Sequence, residues 1–174
     1  MIRCVNALSA IVLALGLAAC SEQPSDLFTV AEGAETAPLI KQNRYMVTSS
    51  AFGHDETLRR LLDALDRRDL TVFAVVDHAA SAASVELDLT PASLVIFGSP
   101  RIGTPLIKAD SLLAAELPLR AAVYDNAEGQ TMLAITSLRA IGREFAVIGE
   151  TQSERVDTIT RNLSALSAEV TGDQ

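Results

Sequence analysis

Residues 54–77, HDETLRRLLDALDRRDLTVFAVVD, change period half-way along, and the class of fold follows from that change. Leu58, Leu61, Leu62 and Leu65 recur at i, i+3, i+4 and i+7, the apolar stripe of a helix with one buried side. Arg59, Arg60, Asp63, Arg67 and Arg68 take the other faces. Asp55 and Glu56 open the helix, where acids suit the positive end of its dipole, and the basic residues of the last turn suit the negative end. From Leu70 to Val76 the helical spacing gives way to β-branched and aromatic residues, which predicts a buried strand. Asp77 ends it.

The same alternation extends in both directions. Upstream, Tyr45 to Ser50 predicts a strand with Tyr45, Val47 and Ser49 on one face, closed by Gly53. Downstream, Ala79 to Val85 predicts a short helix with Asp77 as its N-cap. Pro91 marks a turn, and Ser93 to Phe97 is a second buried strand. Gly98 to Pro105 holds two glycines and two prolines and reads as a loop. Asp110 can cap a short helix through Leu112, Leu113 and Glu116, stopped at Pro118. Leu119–Tyr124 and Thr131–Thr136 read as a hairpin turned by Asp125–Gly129. A final helix begins at Thr151, where Thr151 and Glu154 match a capping box, and carries Val156, Ile159, Leu163, Leu166 and Val170 at spacings of three and four. The expected fold is α+β: a two-layer sandwich of a mostly antiparallel sheet with two long amphipathic helices on one face.

The first 43 residues read differently. Arg3 is followed by an uncharged apolar run, Ala7 to Ala19, too short to span a bilayer, which needs roughly 20 residues. It suits a signal peptide over 1–19. The run closes on Leu17-Ala18-Ala19-Cys20, which resembles the lipobox of bacterial lipoproteins. That resemblance implies lipidation at Cys20, palmitate among the acyl chains, and a membrane partner reached through the lipid. It also implies a periplasmic location, and Ser21 in place of an aspartate points to the outer membrane. Residues 20–43, with Pro24, Gly33 and Pro38, read as the tether to a single domain over 44–170, although Leu27-Phe28 and Leu39-Ile40 are apolar enough to dock on it.

The only cysteines are Cys4 and Cys20, so with the first cleaved and the second lipidated no thiol is left in the domain. Disulfides, a cysteine nucleophile and a Cys-ligated zinc site are excluded on that reading. With Lys+Arg 14 against Asp+Glu 22 the net charge is −8, which repels phosphate backbones and argues against nucleic acid as a partner.

Four spaced motifs stand in order: Asp77-His78-Ala79, Phe97-Gly98-Ser99-Pro100, Gly103-Thr104-Pro105-Leu106 and Leu117-Pro118-Leu119. Together they resemble the bacterial and archaeal family called domain of unknown function 302. The resemblance implies a compact α+β fold, often a homodimer, with no established activity. The family pattern has Asn at the position of Ser99 and Asp at that of Glu116.

Three functional readings remain open. The first is a non-enzymatic binding module, with a small ligand between the 77–78 junction and the 97–104 loop, held by Asp77, His78, Phe97, Gly98, Ser99, Arg101, Gly103 and Thr104. The 98–105 segment is then either an anion cradle or a rigid connection; it is not a P-loop, because no Gly-Lys-Ser/Thr follows. The second is an enzyme using His78 with Asp77 or Glu116, against which stands Asp77 as a simple helix cap. The third is an assembly protein that dimerises by covering an edge strand. No cofactor is implied. With two histidines, His54 and His78, and no thiol in the domain, no metal site is expected.

Overall fold

The computed structural model describes residues 44–144 and 150–173. The expected signal peptide, Cys20 and the tether lie outside the described residues. Five strands form one sheet: β1 (Tyr45–Ser49), β2 (Thr71–Asp77), β3 (Ala92–Gly98), β4 (Leu119–Asp125) and β5 (Thr131–Thr136). Their order is β1-β5-β4-β3-β2, and every neighbouring pair is antiparallel.

Alternate residues of the three central strands form the floor of the core. Val95 and Phe97 of β3, Ala121 and Val123 of β4, and Leu133 and Ile135 of β5 are buried on one face. Two long helices cover that face, α1 (His54–Asp66) and the C-terminal helix (Glu150–Thr171). Leu61 and Leu65 of the first, and Leu163, Leu166 and Val170 of the second, are buried from the stripes read in the sequence. Hydroxyl pairs add direction to this packing: Thr48 meets Ser167 at 2.8 Å and Ser50 meets Thr57 at 2.7 Å. No described helix is long and apolar enough to cross a membrane.

Between these elements lie α2 (His78–Ala83), α3 (Pro100–Ala109), a 3₁₀ turn (Ser111–Ala115) and α4 (Leu138–Glu144); the C-terminal helix is therefore α5. Asp77 caps α2 as expected, its carboxylate accepting the Ala80 N–H at 2.9 Å. Asp110 caps the 3₁₀ turn through the Leu112 N–H at 2.9 Å.

Three expectations need correction. Gly98–Pro105 is not a loop, because α3 begins at Pro100. Proline at the first helical position loses nothing, since that N–H has no intrahelical partner, and its fixed φ suits the helix. Ser99 is the N-cap position, and its carbonyl accepts from Ile102 and Gly103 at 3.0 and 2.9 Å. The β2 segment is a strand but not a buried one. It is the last strand of the sheet, and Val72, Phe73 and Val75 are all exposed. Residue type sets the preference for a strand; position in the sheet sets its burial. Finally, Arg67 and Arg68 fall beyond the last turn of α1, with Arg67 at the C-cap. Arg68 still serves the helix end, donating to the Ala64 carbonyl at 3.0 Å.

Candidate functional site

The antiparallel register of β2 and β3 decides where the expected site residues lie. Asp77 stands opposite Ser93 and Thr71 opposite Gly98. Asp77 and His78 therefore sit at one end of the strand pair and the Gly98–Thr104 segment at the other, about 20 Å apart at roughly 3.3 Å per residue. The eight residues expected around one ligand do not form one site. Asp77 is committed to its cap, and His78, at the start of α2, is exposed, its side chain in no hydrogen bond or ion pair among the described residues.

Glu116, the other carboxylate considered for His78, is held elsewhere. It accepts from Arg44 at 2.7 Å and from Arg120 at 3.4 Å, and it precedes Leu117 at the Gly98 end. His54 is largely buried in the first turn of α1 with Nδ1 3.0 Å from Asp55, and its Nε2 has no partner among the described residues. No three His, Cys, Asp or Glu side chains converge as a metal would require among the described residues.

What the fold does assemble is a cleft of about 610 Å³ at the Gly98 end. Its floor is Phe97, with Gly98 and Ser99 running out to the N-terminus of α3. One wall is the inner side of α3, from Ile102 and Gly103 to Leu106 and Ile107. Leu117, Pro118 and Leu119 line it as well, as do Leu70 and Phe73, and Pro118 and Phe73 both approach Gly98. Leu138 of α4 and Ile159, Leu163 and Leu166 of α5 complete the described lining. Five of the expected residues line it: Phe97, Gly98, Ser99, Gly103 and Thr104. Arg101 is exposed on α3 and does not.

The walls are almost wholly aliphatic. Of the described lining side chains only Arg68, Ser99, Thr104 and Asn162 carry polar groups. Arg68 is already spent on Glu169 and on the Ala64 carbonyl. Arg68 and Arg67 together hold the Glu169 carboxyl well below its usual range, at about 2, chiefly through their hydrogen bonds to it. Among the described residues the cleft thus offers hydroxyls, an amide and a large apolar surface, and no free charge.

Gly103 keeps the α3 wall low. A Cβ there would meet only the Leu117 Cδ1, at 3.8 Å, an ordinary contact. Pro105 inside the helix lacks the N–H that would bond the Arg101 carbonyl. Sequence reasoning missed Ile102, Leu106 and Ile107 as wall residues because glycine and proline dominate the segment. The i, i+4 pair Ile102–Leu106 was the signal available.

Comparison with known proteins adds two kinds of likeness. The chain is similar to a fluoride-specific ion channel, FluC 1, of Brucella suis biovar 1 (strain 1330), 34% identical over 80 residues that make up 46% of this chain and 32% of the channel. FluC 1 of Brucella abortus biovar 1 (strain 9-941) matches at the same identity over 46% of this chain and 30% of its own. The chain spans about a third of the length of these curated relatives. Its fold is similar to the crystal structure of an uncharacterized conserved DUF302 protein from Bacillus stearothermophilus, with a TM-score of 0.64 at 18% identity, covering 72% of this chain and 97% of that one. The model of the family described as Domain of unknown function DUF302 matches residues 45–170.

Proposed function

This chain belongs to the DUF302 family, and from that premise we propose that it is a lipid-anchored periplasmic protein that binds a small apolar ligand without transforming it. The observation that carries the reading is the aliphatic cleft at the Gly98 end. Ligand sites commonly enclose roughly 300–1,000 Å³ and combine apolar walls with a few placed polar groups. The cleft has that size and that composition. Among the described residues its lining contains no carboxylate, imidazole or thiol, which favours binding over acid–base or nucleophilic catalysis. An enzyme built on His78 is disfavoured because neither Asp77 nor Glu116 is placed to serve it.

The ligand class is a neutral or weakly polar molecule with a hydrocarbon chain or ring. Each buried CH₂ contributes about 0.8 kcal/mol, so a chain of several carbons is enough for useful affinity. Ser99 and Thr104 at one end would accept its polar group. The lipobox at Leu17–Cys20 supports the anchor and the location. The recurrence of an 80-residue stretch in proteins named as fluoride channels supports a role beside a membrane; the transport of fluoride stays a property of those proteins. The exposed apolar edge at Val72, Phe73 and Val75 supports a homodimer.

The direct test is titration of the protein with Nile red and with unbranched alcohols of increasing length. Saturable uptake that strengthens with chain length is expected. In Gly103→Leu the added side chain fills the cleft, and uptake should fall at least about tenfold with folding intact, a change of about 1.4 kcal/mol. Equal uptake by both proteins would remove the cleft as the site. Mass spectrometry of the N-terminal peptide from the membrane fraction tests the anchor, and an unmodified Cys20 would remove it.

A further inference from the structure

Helix α3 forms one wall of the cleft, yet none of its residues is buried. At 3.6 residues per turn, Gly103, Leu106 and Ile107 share its inner side, and Arg101, Pro105 and Lys108 its outer side. Arg101 and Lys108 stand two turns apart on that outer side, about 10 Å along the axis. Both are exposed, and neither enters a hydrogen bond or ion pair among the described residues. The arginines in and just after α1 differ: Arg59 holds Glu56 and Asp63, and Arg67 and Arg68 hold Glu169. Residues 89–109 contain no acid, in a chain of net charge −8. Ile102 falls between the two sides of the helix. It is exposed and it lines the cleft, as does Phe73, so these two mark the cleft's mouth. Leu112, in the 3₁₀ turn that follows, is exposed as well.

We propose that the outer side of α3 docks on the surface of an anionic bilayer, which sets the mouth of the cleft at the membrane and lets the apolar ligand enter from the lipid. A basic side chain is attracted to an anionic lipid surface, and the attraction falls off within a Debye length, about 8 Å at physiological salt. Charges farther from the surface are largely screened, so the approach is decided by the face that arrives and not by the net charge. The outer side of α3 arrives with two unpaired cations, and the helix contains no carboxylate. Ile102 and Leu112 supply apolar side chains for the boundary between headgroups and acyl chains, where surface helices of this kind lie. The stems of Arg101 and Lys108 are long enough to keep the charged ends among the headgroups while those side chains sit deeper. A hydrocarbon ligand is driven out of water, and a mouth open to lipid removes the aqueous step from its path.

Entry from the lipid rests on the cleft being the ligand site; the docking does not. The full chain is reconstituted into phosphatidylcholine vesicles with and without phosphatidylglycerol, and a dansyl amino acid replaces Ile102 or, as a control on α2, Ala83. Quenching by bromine-labelled lipid is expected at Ile102 in the anionic vesicles and not at Ala83. The double variant Arg101→Glu, Lys108→Glu should reduce that quenching at least about tenfold, and high salt should reduce it in the wild type. Equal quenching at both positions, none at either, or quenching indifferent to the double variant and to salt would overturn the docking. In the second arm the same vesicles carry a pyrene-labelled alcohol, and its uptake by the protein is read as loss of excimer emission. Uptake at least about tenfold slower in the double variant is expected. Equal rates in the two proteins would overturn entry from the lipid. Quenching at Ile102 without uptake by either protein would sink the ligand reading and leave the docking in place. Uptake that Gly103→Leu abolishes, with no quenching at Ile102, would do the reverse.

Discussion

Gly172 closes α5 with a backbone that only glycine takes easily, φ +75°, and its N–H bonds the Ala168 carbonyl at 3.0 Å. A Cβ there would lie 2.9 Å from the Phe52 ring, which in turn carries the Arg60 guanidinium 4.2 Å from its centroid. Gly172→Ala should destabilise the domain by about 1–3 kcal/mol, combining the left-handed penalty with displacement of the ring. Urea denaturation measures it; an unchanged midpoint would mean that the ring moves freely. Nothing in Thr171-Gly172-Asp173 announces this constraint, because the partner is 120 residues away in sequence. Glu169 is a second residue-scale case. Its folded pKa of about 2 lies below the ordinary glutamate value of 4.5, so its stabilisation is present above the unfolded pKa. It is lost as pH falls from about 5 towards 2. Glu169→Gln should therefore lower the melting temperature slightly at pH 7, a modest effect because the pair is solvent-screened, and match the wild type near pH 2. A difference that persists unchanged at pH 2 would rule out the carboxylate's charge as the cause. Asp77, by contrast, was legible: a cap is a local interaction, and the residues that make it are neighbours in the chain.

The helices α2 and α3 show how far local pattern carries at the next scale. Asp77→Ala removes the cap of α2 and should cost about 0.5–2 kcal/mol in denaturant unfolding. Nile red uptake should stay the same, since α2 and the cleft lie at opposite ends of β2; a parallel loss would mean that the two ends are coupled. In α3 an alanine at Gly103 makes only an ordinary contact, 3.8 Å from Leu117 Cδ1. Gly103→Ala should raise stability by about 0.5–1 kcal/mol, the ordinary helical cost of glycine. A drop in stability would mean that the space is needed by the fold. The reading of this segment as a loop failed because glycine and proline were weighted over the Ile102–Leu106 spacing. The proline that argued against a helix is the one that starts it. The short α4 was not expected at all: two anchors, Leu138 and Ile141, with Gly142 beside them, give no sustained period. The long helices and central strands were legible because burial against a single face imprints its period on ten residues or more. Half of the candidate site was legible for the same local reasons. Its placement was not, because which ends of two strands meet is a property of the sheet.

At the scale of the whole molecule the sheet of described residues ends on two edge strands, and they differ. β2 presents exposed Val72, Phe73 and Val75 along an unpaired side. Such edges are commonly blocked by charge or covered by another chain. Val75→Lys places a charge at this edge. If the homodimer forms there, sedimentation should show a dimer for the wild type and a monomer for the variant; a dimer in both would move the interface elsewhere. The other edge, β1, has a history of its own. The four strands from β2 to β5 are neighbours in the order in which they are made, while β1, made first, pairs only with β5. As the chain emerges, Tyr45–Ser49 must wait for Thr131–Thr136, at roughly 5–20 residues per second a delay of about 4–16 seconds. For that interval the leading strand is a solitary ribbon with Met46 and Val47 bare. Its pairing cannot precede the synthesis of β5, and a chaperone has those seconds in which to hold it.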